Sequence, residues 1–182
     1  MNRQNGSGLS IRDAAAADMP AIAGIYRGYV LHGLASFEVE PPAAAELDAR
    51  RLAIQEAGLP YFVAELDGTL AGYAYAARYR TRVAYRYTVE DSIYVSPDCG
   101  RRGVGLALLN ATVDRCTALG YRQMLAVIGD SANQASIRLH ERAGFRRVGA
   151  LPSVGFKLGR WVDAVLMQRP LGAGDTAAPG AS

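Results

Sequence analysis

Asp91-Ser92-Ile93-Tyr94-Val95-Ser96-Pro97 leads through Asp98 and Cys99 into Gly100-Arg101-Arg102-Gly103-Val104-Gly105, and this stretch decides the fold. An apolar strand enters a Pro-containing turn, and the turn enters a glycine-rich loop that opens an amphipathic helix. Such a loop exposes several backbone N–H groups beside a helix N-terminus with its partial positive charge. Arg101 and Arg102 add two full charges. The segment suits an anion, a phosphate or pyrophosphate first of all, although glycines at a helix start also serve close packing alone. A Walker loop needs Lys and then Ser or Thr after its last glycine, whereas Leu106-Ala107 follow here. A dinucleotide loop reads G-x-G-x-x-G at the start of a βαβ unit, whereas the order here is G-x-x-G-x-G in mid-chain.

Working outward, Leu106, Leu109, Val113 and Cys116 recur at three- and four-residue spacing, which predicts a helix closed by Gly120. Residues 123–128 are short and apolar enough for a buried strand. Residues 133–143 read as a helix closed by Gly144, a residue suited to a left-handed position. Residues 155–158 and 162–168 form a last hairpin around Gly159-Arg160. Upstream, residues 88–95 read as a strand, and Asp67-Gly68 joins strands at 61–66 and 69–77. A first strand spans 9–12, and Asp18 is the expected N-cap of a helix to about Val30, with Pro20 in its first turn. A second helix covers about 43–57 and stops at Gly58-Leu59-Pro60. The class is α/β, a mixed sheet with helices on both faces. The expected organisation is one domain at residues 9–171 between flexible tails at 1–8 and 172–182.

The order of strand, glycine loop, helix and strand, then Asn133 and Ala135 heading a helix that ends in Ala143-Gly144-Phe145, resembles the GNAT family of acyl-CoA N-acyltransferases. Tyr85-Arg86-Tyr87-Thr88-Val89-Glu90, Ile93-Tyr94-Val95-Ser96-Pro97, Ala126-Val127-Ile128-Gly129 and Gly155-Phe156-Lys157-Leu158-Gly159-Arg160-Trp161 are similar to its phosphinothricin and methionine sulfone N-acetyltransferase branch. The match covers roughly residues 9 to 171. It implies a GNAT-like fold with a mostly antiparallel central sheet, acetyl-CoA as co-substrate, and a homodimer with its pocket near the interface.

Residue by residue, the resemblance implies that the backbone of Ile93, Tyr94 and Val95 pairs with the pantetheine arm. Arg101, Arg102, Gly103, Val104 and Gly105 take the pyrophosphate, and Asn133 also touches CoA. Gly100 departs from the Gln or Arg usual at that point, so one side-chain contact is lost. Glu90 falls at the branch's catalytic carboxylate, as general base acting directly or through a water. Burial would raise its ordinary pKa near ~4 and suit it better to that task. Arg80, Arg82 and Tyr85 fall where the branch grips its substrate, Arg80 replacing a Lys, and guanidinium forks suit carboxylates, phosphinates and sulfone oxygens. Phe37 matches an aromatic wall of the substrate pocket. His140 stands where many GNAT enzymes have a Tyr proposed to protonate the thiolate, and imidazole can donate near neutral pH; Tyr94 and Tyr121 are weaker candidates for that role.

Bulk properties agree with such a protein. At 182 residues, half of them apolar and a fifth charged, the chain can bury a sizeable core. No apolar run approaches the ~18 residues of a membrane span, and no apolar h-region follows Arg3. Cys99 and Cys116 make neither a disulfide framework nor a metal set, which points to a reduced, cytoplasmic protein without a metal. The net charge of +3 is modest, and 17 acidic residues without a nucleic-acid motif argue against a nucleic-acid binder. The arginine clusters fit a CoA and an acidic small molecule. The expected activity is N-acetylation of the α-amino group of a small amino acid or analogue. The rivals are a non-catalytic acyl-CoA sensor and an acetyltransferase of protein N-termini or polyamines.

Overall fold

The computed structural model describes residues 8–180. The expected N-terminal tail, apart from Gly8, and the last two residues of the expected C-terminal tail lie outside that range. Seven strands form one sheet: β1 (Leu9–Asp13), β2 (Tyr61–Leu66), β3 (Thr69–Arg78), β4 (Thr88–Val95), β5 (Gln123–Gly129), β6 (Arg146–Lys157) and β7 (Arg160–Pro170). Their spatial order is β1-β2-β3-β4-β5-β7-β6. Neighbours run antiparallel except β4 and β5, which are parallel.

Alternation along β2 sorts the two faces, since successive strand residues point to opposite sides. Tyr61 and Val63 pack against Ile22, Tyr26 and Val30 of α1 (Met19–His32) and Leu47 of α2 (Ala44–Glu56). Phe62 and Ala64 pack instead against Val104 and Leu108 of α3 (Val104–Ala118). Leu109, Val113 and Cys116 of α3 continue into the largest core cluster, which also takes Ile137 from α4 (Gln134–Arg142). The stripe read from the sequence is therefore the buried one, save that Leu106 is only half-buried and turns to a groove.

Two expectations need correction. Asp18 directly precedes α1, but its carboxylate accepts from the Arg12 guanidinium at 2.7 Å and from Ala15 N–H at 2.8 Å, and does not cap α1. A short 3-10 turn at Ala16–Asp18 feeds the helix directly, and a cationic partner outcompetes the capping N–H groups. The last hairpin is also much longer than residues 155–158 and 162–168. Gly149, Pro152 and Ser153, the last at φ 52°, break the alternation that marks a strand, and two register shifts absorb them. β6 tolerates Pro152 because it is an edge strand. From Gly172 to Ala177 the chain lies in turns and bends, with Arg122 donating to the carbonyls of Ala177 and Ala178.

The feature that positions the site is the short seam between β4 and β5. Their pairing runs from Thr88↔Gln123 to Asp91↔Ala126 and stops. β4 stays bonded to β3 as far as Val95, and β5 to β7 as far as Gly129, so the two strands diverge into a wedge.

Candidate active site

Ser96 donates to Ala71 on β3, and peptide groups alternate along a strand. Ile93 and Val95 thus turn their N–H and C=O into the wedge, whereas Tyr94 turns its own toward β3. Of the three backbones expected to pair with a ligand, Ile93 and Val95 have the right orientation. Tyr94 contributes its ring to a cleft wall and packs against Tyr26, Tyr29 and Tyr73. At Val95 the edge already has a partner: the Tyr29 hydroxyl donates to Val95 O at 2.8 Å and accepts from its N–H at 3.4 Å.

One end of the wedge opens on a groove of about 550 Å³ between α3 and α4, lined by Ile93, Val95, Arg101, Gly103, Val104, Gly105 and Asn133 among others. Arg101 at φ 60° and Gly103 at φ 84° give the loop two left-handed positions, the backbone from which anion-binding turns are built. Gly103 is the N-cap of α3 and no side chain caps it, which leaves first-turn N–H groups for a ligand. A Cβ at Gly105 would sit 3.2 Å from Leu139 and 3.5 Å from Val95, so the glycine keeps the groove open. Arg102 turns away and pairs with Asp67 at 2.8 Å. Asn133 caps α4 by accepting from Ser136 N–H. Arg138 and Arg142, which the sequence reading did not single out, line the same groove. Their spacing of four along α4 was the available signal.

The other end opens on a cleft of about 410 Å³ that shares Ala35, Ile93, Asn133 and Ser136 with the groove. Glu90 and Phe37 line it. Burial, then the charge of Asp91, push the Glu90 carboxyl above its ordinary value, while Arg80 pulls it down. The roof is the 33–43 loop between α1 and α2, and it rests on backbone. A Cβ at Gly155 would fall 2.3 Å from the Phe37 ring, and one at Gly129 only 2.1 Å from Leu34 O. Tyr26 and Ser36 share a hydroxyl hydrogen bond, and buried Lys157 donates to Ser36 O at 2.6 Å. The supports from Gly129, Gly155 and Lys157 escaped the sequence reading because each lies some 95 to 121 residues from the loop residue it meets.

His140 is buried beneath the cleft with both ring nitrogens occupied. Nδ1 lies 2.8 Å from Ser136 O and Nε2 lies 3.1 Å from Asp91 Oδ2. No N–H is left to aim at a thiolate. Asp91 Oδ1 is buried without a hydrogen-bond partner among the described residues. Arg80, Arg82 and Tyr85 are on the exposed loop after β3 and do not line the cleft, though Arg80 is near enough for its charge to act on Glu90. Tyr121 does not line it either, and burial pushes the Cys116 thiol up to about 12. Among the described residues no group of three or more His, Cys, Asp or Glu could hold a metal ion, and no helix is long and apolar enough to cross a membrane.

A parallel pair that parts over the peptide edge of Ile93, with an uncapped glycine-loop helix at one end and a carboxylate at the other, sets anion-binding N–H groups and an open strand edge beside a half-buried acid. Residues 25–145 match the acetyltransferase (GNAT) family, and the chain belongs to it, an acetyl-CoA-dependent N-acetyltransferase. It is 55% identical over 162 residues to a phosphinothricin N-acetyltransferase from Alcaligenes faecalis, covering 89% of this chain and 82% of that one. It is 41% identical over 160 residues to an L-methionine sulfoximine/L-methionine sulfone acetyltransferase from Pseudomonas paraeruginosa, covering 87% and 92%. The crystal structure of a GNAT superfamily phosphinothricin acetyltransferase from Sinorhizobium meliloti in complex with acetyl-CoA superposes with a TM-score of 0.91 at 49% identity, covering 95% and 94%.

Proposed function

We propose that the enzyme acetylates the α-amino group of a small amino acid analogue whose side chain carries a polar tetrahedral group, of the phosphinothricin, methionine sulfone or methionine sulfoximine kind. The observation that carries this reading is Glu90, half-buried with raised proton affinity where β4 and β5 part. The acceptors named for the two relatives support the substrate class.

The groove fits acetyl-CoA: Ile93 offers free peptide groups to an amide-bearing arm, the uncapped start of α3 offers N–H groups to phosphates, and Gly105 leaves room. Bound there, acetyl-CoA supplies an acetyl group activated as a thioester. As the amine nitrogen bonds the acetyl carbon, the C–S bond breaks and CoA leaves as its thiolate, while Glu90, directly or through a water, takes the proton that the amine sheds. Phe37 walls the acceptor, while Arg80, Arg82 and Tyr85 at the rim take its carboxylate and tetrahedral oxygens. Holding the two reactants together lowers the barrier by several kcal/mol, roughly, before any proton moves.

The catalytic domain in this reading is residues 9–171, the protein works in the cytoplasm, and a second copy covers the β6–β7 hairpin. Val148, Leu151, Val154 and Phe156 on β6, with Leu158 and Trp161, stay exposed there in one chain, and a patch of that kind suits a protein contact.

The test is thiol release from acetyl-CoA with phosphinothricin, methionine sulfone, methionine sulfoximine, ordinary amino acids and spermidine, wild type beside Glu90→Gln. Turnover of the sulfone or phosphinate compounds, reduced roughly a hundredfold in the variant, is expected for loss of a general base. Spermidine as the best acceptor overturns the substrate class. Tight acetyl-CoA binding without turnover of any amine overturns catalysis in favour of a sensor.

A further inference from the structure

The unused group beneath the cleft is the carboxylate next to Glu90. Strand alternation sends Glu90 and Asp91 to opposite faces, yet both reach the same cleft because the sheet opens there. Asp91 meets His140 with both side chains only 2% exposed. The carbonyl of Ser136 can only accept, so His140 Nδ1 carries a proton. The remaining proton of the pair lies between Nε2 and Asp91 Oδ2, and leaves either an ion pair or two neutral groups. Burial alone favours the neutral form. The hydrogen bond and charge of Asp91, helped by the Ser136 carbonyl, outweigh burial and raise the proton affinity of the ring. With Nδ1 already donating to Ser136 O and Nε2 aimed at Asp91 Oδ2, the geometry suits the ion pair.

We propose that Asp91 is a positioning residue for the acetyl transfer: fixed by its hydrogen bond to His140, it sets beside Glu90 the carboxylate that leaves Glu90 as the one that takes the amine's proton. Two adjacent carboxylates in a partly dry site cannot both ionise freely, and their partners decide which one binds the proton. Asp91 has an imidazolium at 3.1 Å, whereas Glu90 has only the more distant guanidinium of Arg80. The other ionisable groups facing the two among the described residues are Tyr75 on β3, Tyr94 on β4, Tyr26 on α1, Glu38 in the roof and Cys116 on α3. β5 walls the cleft with Ala126, Val127, Ile128 and Gly129, none of which can carry charge. The inference rests on the proposed role of Glu90, and it gives His140 the task of a counter-ion in place of an acid.

The chain has two histidines, of which His32 is exposed and His140 buried, so nitrogen NMR of the imidazoles reads the pair directly. In wild type, His140 is expected to keep protons on both ring nitrogens to a higher pH than a free imidazole does. In Asp91→Asn it is expected to retain only the proton on Nδ1. In the same variant the acid limb of the pH–rate profile, which reports Glu90, is expected to move down by about one pH unit, with kcat reduced more than KM is changed. His140→Gln is expected to move the limb the same way, and the double variant no further than either single one. A wild-type His140 that loses its second proton at no higher pH than a free imidazole overturns the ion pair, and this measurement needs no variant to fold. An acid limb unmoved in folded Asp91→Asn overturns the positioning role. Full activity in Glu90→Gln overturns the base itself, an outcome separate from the state of His140.

Discussion

The two halves of β4 have the same backbone and opposite tasks. Over residues 88–91 the strand is bonded to β3 on one side and β5 on the other, as an interior strand should be. Over residues 92–95 it keeps β3 and gives up β5, and its edge, taken only at Val95 by the Tyr29 hydroxyl among the described residues, faces a groove. Buried peptide groups without partners are costly, so a fold leaves such an edge open only where something else fills it. In the first half the side chains matter as packing and charge. In the second the backbone is itself the proposed binding surface. One strand thus separates what keeps the protein folded from what it binds, and the change comes at the two carboxylates, Glu90 and Asp91.

The two sides of β4 can be broken separately. The largest effect is expected from Gly72→Ala, opposite Val95 on the paired side. The added Cβ would lie 2.8 Å from Tyr94 O, a backbone atom that cannot swing away. A loss of about 3 kcal/mol in a denaturant titration is expected, since overpacking of this kind typically costs 1–3 kcal/mol, occasionally more. On the open side, Gly105→Val fills the groove between Leu139 and Val95. There the expected outcome is a rise of about tenfold or more in KM for acetyl-CoA, about 1.4 kcal/mol, with kcat much less affected. If Gly72→Ala weakened cofactor binding alone, the division between the halves would be wrong.

The smallest effect concerns the charge at the boundary. Burial first, then Asp91, raise the Glu90 carboxyl, so the folded protein keeps that proton to a higher pH than the unfolded chain does. The stability this gives is present at acid pH and is lost as pH rises through the folded value. Glu90→Gln never ionises, so it is expected to melt above wild type at neutral and alkaline pH and with no advantage at acid pH. On the proposed role of Glu90, activity runs the other way, because only its ionised form can accept a proton. A variant that is more stable and nearly inactive shows that the site is strained for function.

Much of this was legible in the sequence because it is local. Strand alternation, the Asp67-Gly68 turn and the glycines at 103, 120 and 144 state their conformations within a few residues, and the helix and strand limits follow. Glu90, Phe37 and the glycine loop could be read by resemblance. Contacts between distant segments could not. Asp18 looked like a cap because the sequence does not reveal that Arg12 would be beside it. Arg102 looked like a phosphate ligand because nothing local ties it to Asp67, 35 residues earlier. β6 was truncated because its bulges erase the period of two. The task of His140 turns on Asp91, 49 residues away, and on which edge of the ring each partner occupies.

The parted strands also bear on what the folded molecule consists of. A sheet with an open crease is one strand short along part of its length, and an amide-bearing ligand laid against Ile93 would act there as the missing strand. Such a ligand belongs to the architecture as much as to the chemistry. At a hundred times its dissociation constant it would add about 2.7 kcal/mol to the stability of the whole chain. Cells rich in acetyl-CoA would therefore hold a sturdier protein than starved ones, and its lifetime would follow the supply of the compound it consumes.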